Sequence, residues 1–358
     1  MGNPTRNCER RRIIIINHLP KGAMSVFVAL GLLLLAGSSS KGDQHQPRPD
    51  TLRVVIVPYL SYAPFFIAEE EGYFADHGLR IEYVRIDSSA SAIPTLAQGR
   101  LDVVAGTIQV SQLNAMSRGA KIKFVASRGY VARRGCASEA VVARRALVEG
   151  GKLDSPARLK GRRIAMPRAS ASSADYFLET LLNTAGLTLD DVEIVDIPPP
   201  AQLEALEKGM VDLTLVGEPW VTRLLQTGHG VLWMEARKVI PDFQWGFILY
   251  GPTLLEKNPD AGRRFIIAYL KAARQYNLGK TERNLEILAK HTGLDRELLK
   301  QACWPPMRED GRINVKGVLG FQAWSIKKGL LDSPVKEERL WDPSFVEYAN
   351  RALKTGTR

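Results

Sequence analysis

Cysteine and histidine are scarce in this chain: three cysteines and five histidines in 358 residues. No CxxC occurs, and no cysteine–histidine pair has zinc spacing, so metal chemistry has no visible support. No Gly-x-Ser-x-Gly elbow and no Gly-x-x-x-x-Gly-Lys-Ser/Thr phosphate loop is present, which removes the best-marked hydrolase and nucleotide routes. Solenoid-type repeats and low-complexity tracts are also missing. Cys8 sits near the start, leaving Cys136 and Cys303; two isolated thiols read first as buried apolar residues and second as a single disulfide. No cofactor is implied.

What is present is charge and export patterning. The net charge is +11. The first 40 residues hold five Lys/Arg and one Asp/Glu, so +7 remains on the rest. That balance suits an anionic ligand or simply a basic solvated surface. The basic pairs Arg133-Arg134, Arg144-Arg145 and Arg162-Arg163 lack interleaved aromatics, so nucleic-acid binding is not expected. Arg6, Arg10, Arg11, Arg12 and Lys21 precede the apolar run 23–37 and a small-residue exit at Ser38-Ser39-Ser40. This is the layout of a secretory signal over residues 1–40, and the run is short for a membrane span. An uncleaved signal would hold the protein at the membrane. LLAGS resembles a lipoprotein box with Ser38 where the lipidated cysteine would stand, so lipidation is not expected. Residues 41–50 form a polar tether, and the mature chain reads as exported and periplasmic.

From Thr51, short β-branched runs alternate with helical segments, which predicts an α/β fold with mostly parallel sheet. Val54 to Val57 reads as a buried strand ended by Pro58. An aromatic loop carrying Tyr59, Tyr62, Phe65 and Phe66 follows, and AEEEGYF then reads as a helix. In open α/β sheets, ligands sit beyond the carboxyl ends of strands. Three hydroxyl-bearing loops occupy such positions: Ser88-Ser89, Thr107 and Ser170-Ala171-Ser172-Ser173. The last opens a helix and reads either as an anion cradle of free N–H groups or as a plain N-cap. Trp220 and Trp245 would cover a ligand from the far side. Glu218 either caps its helix or meets an amino group. The pattern breaks at Arg128-Gly129-Tyr130 and again near 243–250, where the chain is expected to cross between two lobes.

Six segments in one order resemble the nitrate/sulfonate/taurine family of solute-binding proteins of ABC importers, with relatives that bind thiamine-pyrimidine precursors. They are APFFIAEEEGYFADHGLRIE, the Gln98–Val103 step, SRGAKIKFVAS, LKGRRIAMPRASASSADYFLETLL, LEKGMVDLTLVGEPW and DGRINVKGVL with KKGLL. The resemblance implies a type II periplasmic-binding fold: two lobes, each a mostly parallel sheet flanked by helices, with a ligand cleft between them. Lobe 1 would take residues 51–128 and 246–358, and lobe 2 residues 129–245. It further implies capture of a small sulfonate, taurine-like or nitrate-like anion by a monomer and delivery to a membrane permease with its ATPase. A pyrimidine is the alternative ligand, and an enzyme on the same fold (desulfinase-like or pyrimidine-synthase-like) the alternative class. By position, the family's pocket residues fall on Tyr59, Pro64, Phe65, Ser88, Thr107, Ser172, Glu218 and Trp220; no catalytic residue is expected.

Overall fold

The computed structural model describes residues 48–355 apart from 57–58, 87–88 and 168–170. The signal segment, most of the tether and Ser88 therefore lie outside the described residues.

Two five-stranded sheets organise the chain. The first comprises β1 (Asp50–Ile56), β2 (Leu79–Arg85), β3 (Val103–Thr107), β4 (Lys123–Ser127) and, much later, β10 (Gly246–Tyr250). Its order is β2-β1-β3-β10-β4. The second comprises β5 (Glu139–Arg144), β6 (Arg163–Met166), β7 (Glu193–Asp196), β8 (Leu213–Gly217) and β9 (Gly230–Glu235), in the order β7-β6-β8-β5-β9. The apolar runs behave as strands covered on both faces: Val54, Val55, Val103, Val104 and all of β10 are buried.

Each sheet has one reversed strand. β10 runs antiparallel to β3 and β4, and β5 antiparallel to β8 and β9, while the other pairings are parallel. The reversal follows from the route. A chain that leaves one sheet at a carboxyl end enters the other from the same side, so it must run against its new neighbours. The two connecting segments lie side by side, with Arg128 N donating to Gly246 O (3.0 Å), Gly246 N to Gly129 O (3.1 Å) and Val131 N to Phe243 O (2.9 Å). Gln244, fully buried, ties them together. Its Nε2 donates to Ser127 Oγ, Gly129 O and Gly246 O, and its Oε1 accepts from Asn314 N.

The helices that matter for the site are α1 (Ala63–Glu70), α2 (Val110–Ser117), α3 (Ser173–Asn183), α4 (Trp220–Gln226), α5 (Pro259–Asn277), α6 (Glu282–Thr292) and α7 (Arg296–Gln301). α1 begins earlier than the aromatic-loop reading expects. Pro64 stands in its first turn, where a missing N–H costs nothing. Phe65 and Phe66 are thus helical and turned inward, Phe65 meeting Tyr269 of α5 at 5.2 Å between ring centres. Among the described residues, no helix is long and apolar enough to cross a membrane.

Candidate functional site

The carboxyl ends of both sheets face one cavity of about 140 Å³. The first sheet and its loops contribute Tyr59, Ser89, Thr107, Gln109 and Arg128. The second contributes Glu139, Ser172, Ser173, Gly217 and Glu218, with Trp245 and Pro305 completing the wall. An engineered apolar cavity of about 150 Å³ holds benzene, so this one suits a ligand of roughly six to eight heavy atoms.

Main-chain hydrogen bonds close the two sides on each other. Val110 N donates to Ala171 O (3.0 Å) and Ser173 N to Ile108 O (3.1 Å), forming a short antiparallel bridge at Gln109 and Ser172. Across the other rim, Leu60 N reaches Glu218 O at 3.4 Å. Cys136 and Cys303 form a disulfide (Cα–Cα 5.6 Å) that joins the segment before β5 to the segment after α7. The reading of two buried, unlinked thiols is thereby corrected: folding brings together residues 167 positions apart, which spacing alone does not reveal.

Arg128 dominates the electrostatics. Only 2% exposed, it follows the last residue of β4. Its Nη1 donates to Ser61 Oγ, and its guanidinium lies 4.1 Å from the centre of the Tyr62 ring. Its Nε has no partner, and no carboxylate among the described residues forms an ion pair with it. Its field reaches Glu139, whose carboxyl burial holds protonated up to about pH 7, so below that pH the guanidinium has no ionised partner within ion-pair distance among the described residues. Ser89, buried, lines the same cavity, its Oγ accepting from Gln109 Nε2 (3.2 Å). Two glycines make the room. A Cβ on Gly106 would lie 2.3 Å from Ser89 Oγ, and one on Gly246 would lie 2.9 Å from both Nη2 and O of Arg128.

The carboxylates have different tasks. Glu218 is 4% exposed and fully engaged. Its Oε1 accepts from Thr222 Oγ1 (2.7 Å) and Cys303 N (2.9 Å), and its Oε2 from Thr222 N (3.0 Å). Burial raises its pKa against those donors. It therefore pins the disulfide-bearing segment onto α4. Glu139 accepts from Ser138 Oγ, and burial pushes its pKa up to about 7, opposed by that hydrogen bond and by Arg128. Burial likewise raises the Tyr59 phenol, which stays neutral.

The helix start at Ser172 is not the open cradle that free N–H groups would provide. Ser172 N donates to Asp175 Oδ2 (2.9 Å), Ala174 N to Ser172 Oγ (3.2 Å), and Ser173 N is already given to Ile108. The N-cap reading applies, with Asp175 closing the capping box.

Of the positions singled out from sequence, Tyr59, Thr107, Ser172 and Glu218 line the cavity. Pro64 and Phe65 do not, because α1 starts early and buries them against α5. Trp220 lies in a separate, outer cavity with Arg223 and His291. Ser88 lies outside the described residues, while its neighbour Ser89 is in the wall. Arg128, Gln109 and Glu139 were not singled out as ligand contacts. The Arg-Gly step that breaks the pattern after β4 is the one signal that pointed near Arg128.

Similarity to known proteins bears on the family and the fold. The model of the NMT1-like family matches residues 45–293. The taurine-binding periplasmic protein of Escherichia coli (strain K12) is 28% identical over 263 residues, covering 68% of this chain and 74% of its own. A Brucella abortus (strain 2308) protein described only as a binding protein is 29% identical over 249 residues, covering 68% and 72%. Among solved structures, the alkanesulfonate-binding protein SsuA from Xanthomonas axonopodis pv. citri, bound to MOPS, superposes with a TM-score of 0.64 at 18% identity. It covers 83% of this chain and 99% of that one, which establishes the two-lobed fold.

Proposed function

Since the chain belongs to the NMT1-like family, we propose that it is the solute-binding protein of an ABC importer, capturing a small anion of the sulfonate, taurine or nitrate class. The observation that carries this reading is the buried guanidinium of Arg128, without an ion-pair partner among the described residues, in a cavity between the carboxyl ends of two sheets. Hydroxyls of Ser89, Thr107 and Ser173 stand ready to share the remaining acceptor oxygens. Trp245 and Tyr59 supply apolar walls for a short organic tail. We take residues 51–128 with 246–358 as one lobe and 129–245 as the other, rocking about the paired connecting segments. The lobes close on the ligand, and the loaded, exported monomer docks on a membrane permease driven by its ATPase.

A non-catalytic role fits the same geometry. The disulfide leaves neither Cys136 nor Cys303 as a thiol nucleophile. Glu218, the residue a pyrimidine would need, already holds Thr222 and Cys303.

A thermal-shift panel on residues 51–358 tests the reading with taurine, short alkanesulfonates, nitrate, bicarbonate and aminopyrimidines. Ligand at about 100 times its Kd adds about 2.7 kcal/mol, a rise of about 4 °C for a chain this size. A rise with one of the anions and none with the pyrimidines is the expected result. A rise with pyrimidines alone contradicts it, and so does turnover of a sulfinate by the oxidised protein.

A further inference from the structure

A second cavity of about 390 Å³ backs onto the first. The partition is thin. Tyr59 lines both chambers, and the chain passes from Glu218, in the inner wall, to Pro219 and Trp220, in the outer wall. The Leu60–Glu218 main-chain contact holds that partition together.

The outer chamber has its own chemistry. Ile56, Phe66, Ile86, Pro219 and Leu294 form apolar walls, and the half-buried Trp220 indole adds a broad aromatic face. Its charged side chains are Arg85, Arg223 and, when protonated, His291. Arg85 ends β2 and is exposed, while Arg223 lies 4.9 Å from the Trp220 ring centre; neither makes an ion pair with a described carboxylate. His291 is different: its Nε2 is bonded to Glu70 (2.7 Å) and its ring stacks on Phe66, so it acts as wall. None of the described lining residues is acidic. An apolar chamber of several hundred Å³ with a few convergent polar groups is the usual form of a small-molecule site. Here those polar groups are two unpaired guanidiniums, which select for negative charge, beside an indole face, which selects for a planar body.

We propose that the outer chamber is a second binding site, for a planar aromatic anion too large for the inner cavity, held by Arg85 and Arg223 against Trp220. The site stands independently of which small anion the inner cavity takes.

The probe is 1-naphthalenesulfonate, titrated calorimetrically into the full chain. The expected result is one-site binding that persists in Arg128→Met and weakens at least 10-fold in the Arg85→Gln/Arg223→Gln double variant. Trp220→Ala weakens it comparably, and circular dichroism melts check that each variant is folded. Should the double variant misfold, the exposed single change Arg85→Gln is expected to weaken binding at least 3-fold. Loss of binding in Arg128→Met with full retention in the double variant overturns the proposal, since the inner cavity would then be the site. Absence of binding to the folded native protein also overturns it. Methanesulfonate, titrated in parallel, reports on the inner cavity alone. Its silence would remove the small-anion reading while leaving the outer site standing on its own arginine dependence.

Discussion

At the scale of single residues, two charges set the character of the inner cavity. Arg128 asks for an anion, and Glu139, beside it, resists one while ionised. The pKa of Glu139 is pushed up to about 7 from 4.5, so between those values the native protein holds a proton that the unfolded chain has released. The stability associated with that proton is fully present below about pH 4.5 and is lost as pH rises through about 7. Glu139 keeps partial contact with solvent, so the expected loss is about 1–2 kcal/mol rather than the full value of the shift. Urea midpoints measured from pH 4.5 to 8 should fall for the native sequence and flatten for Glu139→Gln; parallel curves would contradict this. Glu218→Gln is a different test. It keeps one acceptor oxygen but breaks the set that binds Thr222 and Cys303 N, and should cost about 1–3 kcal/mol in denaturation. The sequence alone left Glu218 between a cap and a ligand contact, because both roles call for a carboxylate at that place. Arg128 was harder still. Nothing local distinguishes a buried arginine from the many exposed ones until the two connecting segments and Ser61 are folded around it.

At the scale of elements, the strands and helices were legible wherever the apolar period was strong. The helix over 110–117 and the long helix from Pro259 follow directly from their caps and stripes. β9 was not, since its six residues include no fully buried side chain after Gly230 and alternate only weakly. The aromatic stretch after β1 misled because aromatics suit a loop wall as well as a helix core. Pro64 in the first turn decides for the helix. Strand ends also explain the two glycines that shape the cavity. Gly106→Ala drives a methyl into Ser89, and Gly246→Ala drives one into the Arg128 backbone and guanidinium. Each should cost about 1–3 kcal/mol of stability and weaken anion binding at least several-fold, read from thermal melts and titration. A variant that retains full affinity would show that its arginine or serine neighbour is not a ligand contact.

At the scale of the molecule, two sheets each donate carboxyl-end loops to one space, and three kinds of tie hold them around it. The connecting segments run side by side through Gln244, the rims are joined by main-chain hydrogen bonds, and the disulfide fastens the segment carrying Pro305 to the start of β5. The alternation of elements and the six family-like segments made this architecture readable from sequence. The disulfide was not, because it depends on which distant loops meet. Closing a span of 167 residues, its removal in Cys136→Ala/Cys303→Ala should cost about 2–5 kcal/mol, and reductant should reproduce the effect on the native protein.

The most direct test of the account is a calorimetric titration of taurine, methanesulfonate and nitrate into the native protein and into Arg128→Met, at pH 6. Charge-assisted hydrogen bonds to a buried guanidinium contribute about 1.5–3 kcal/mol, so the account predicts that the best of these anions loses about 10- to 150-fold in affinity in the variant. Equal affinity in both proteins, with the variant folded, would contradict it and move the ligand away from Arg128.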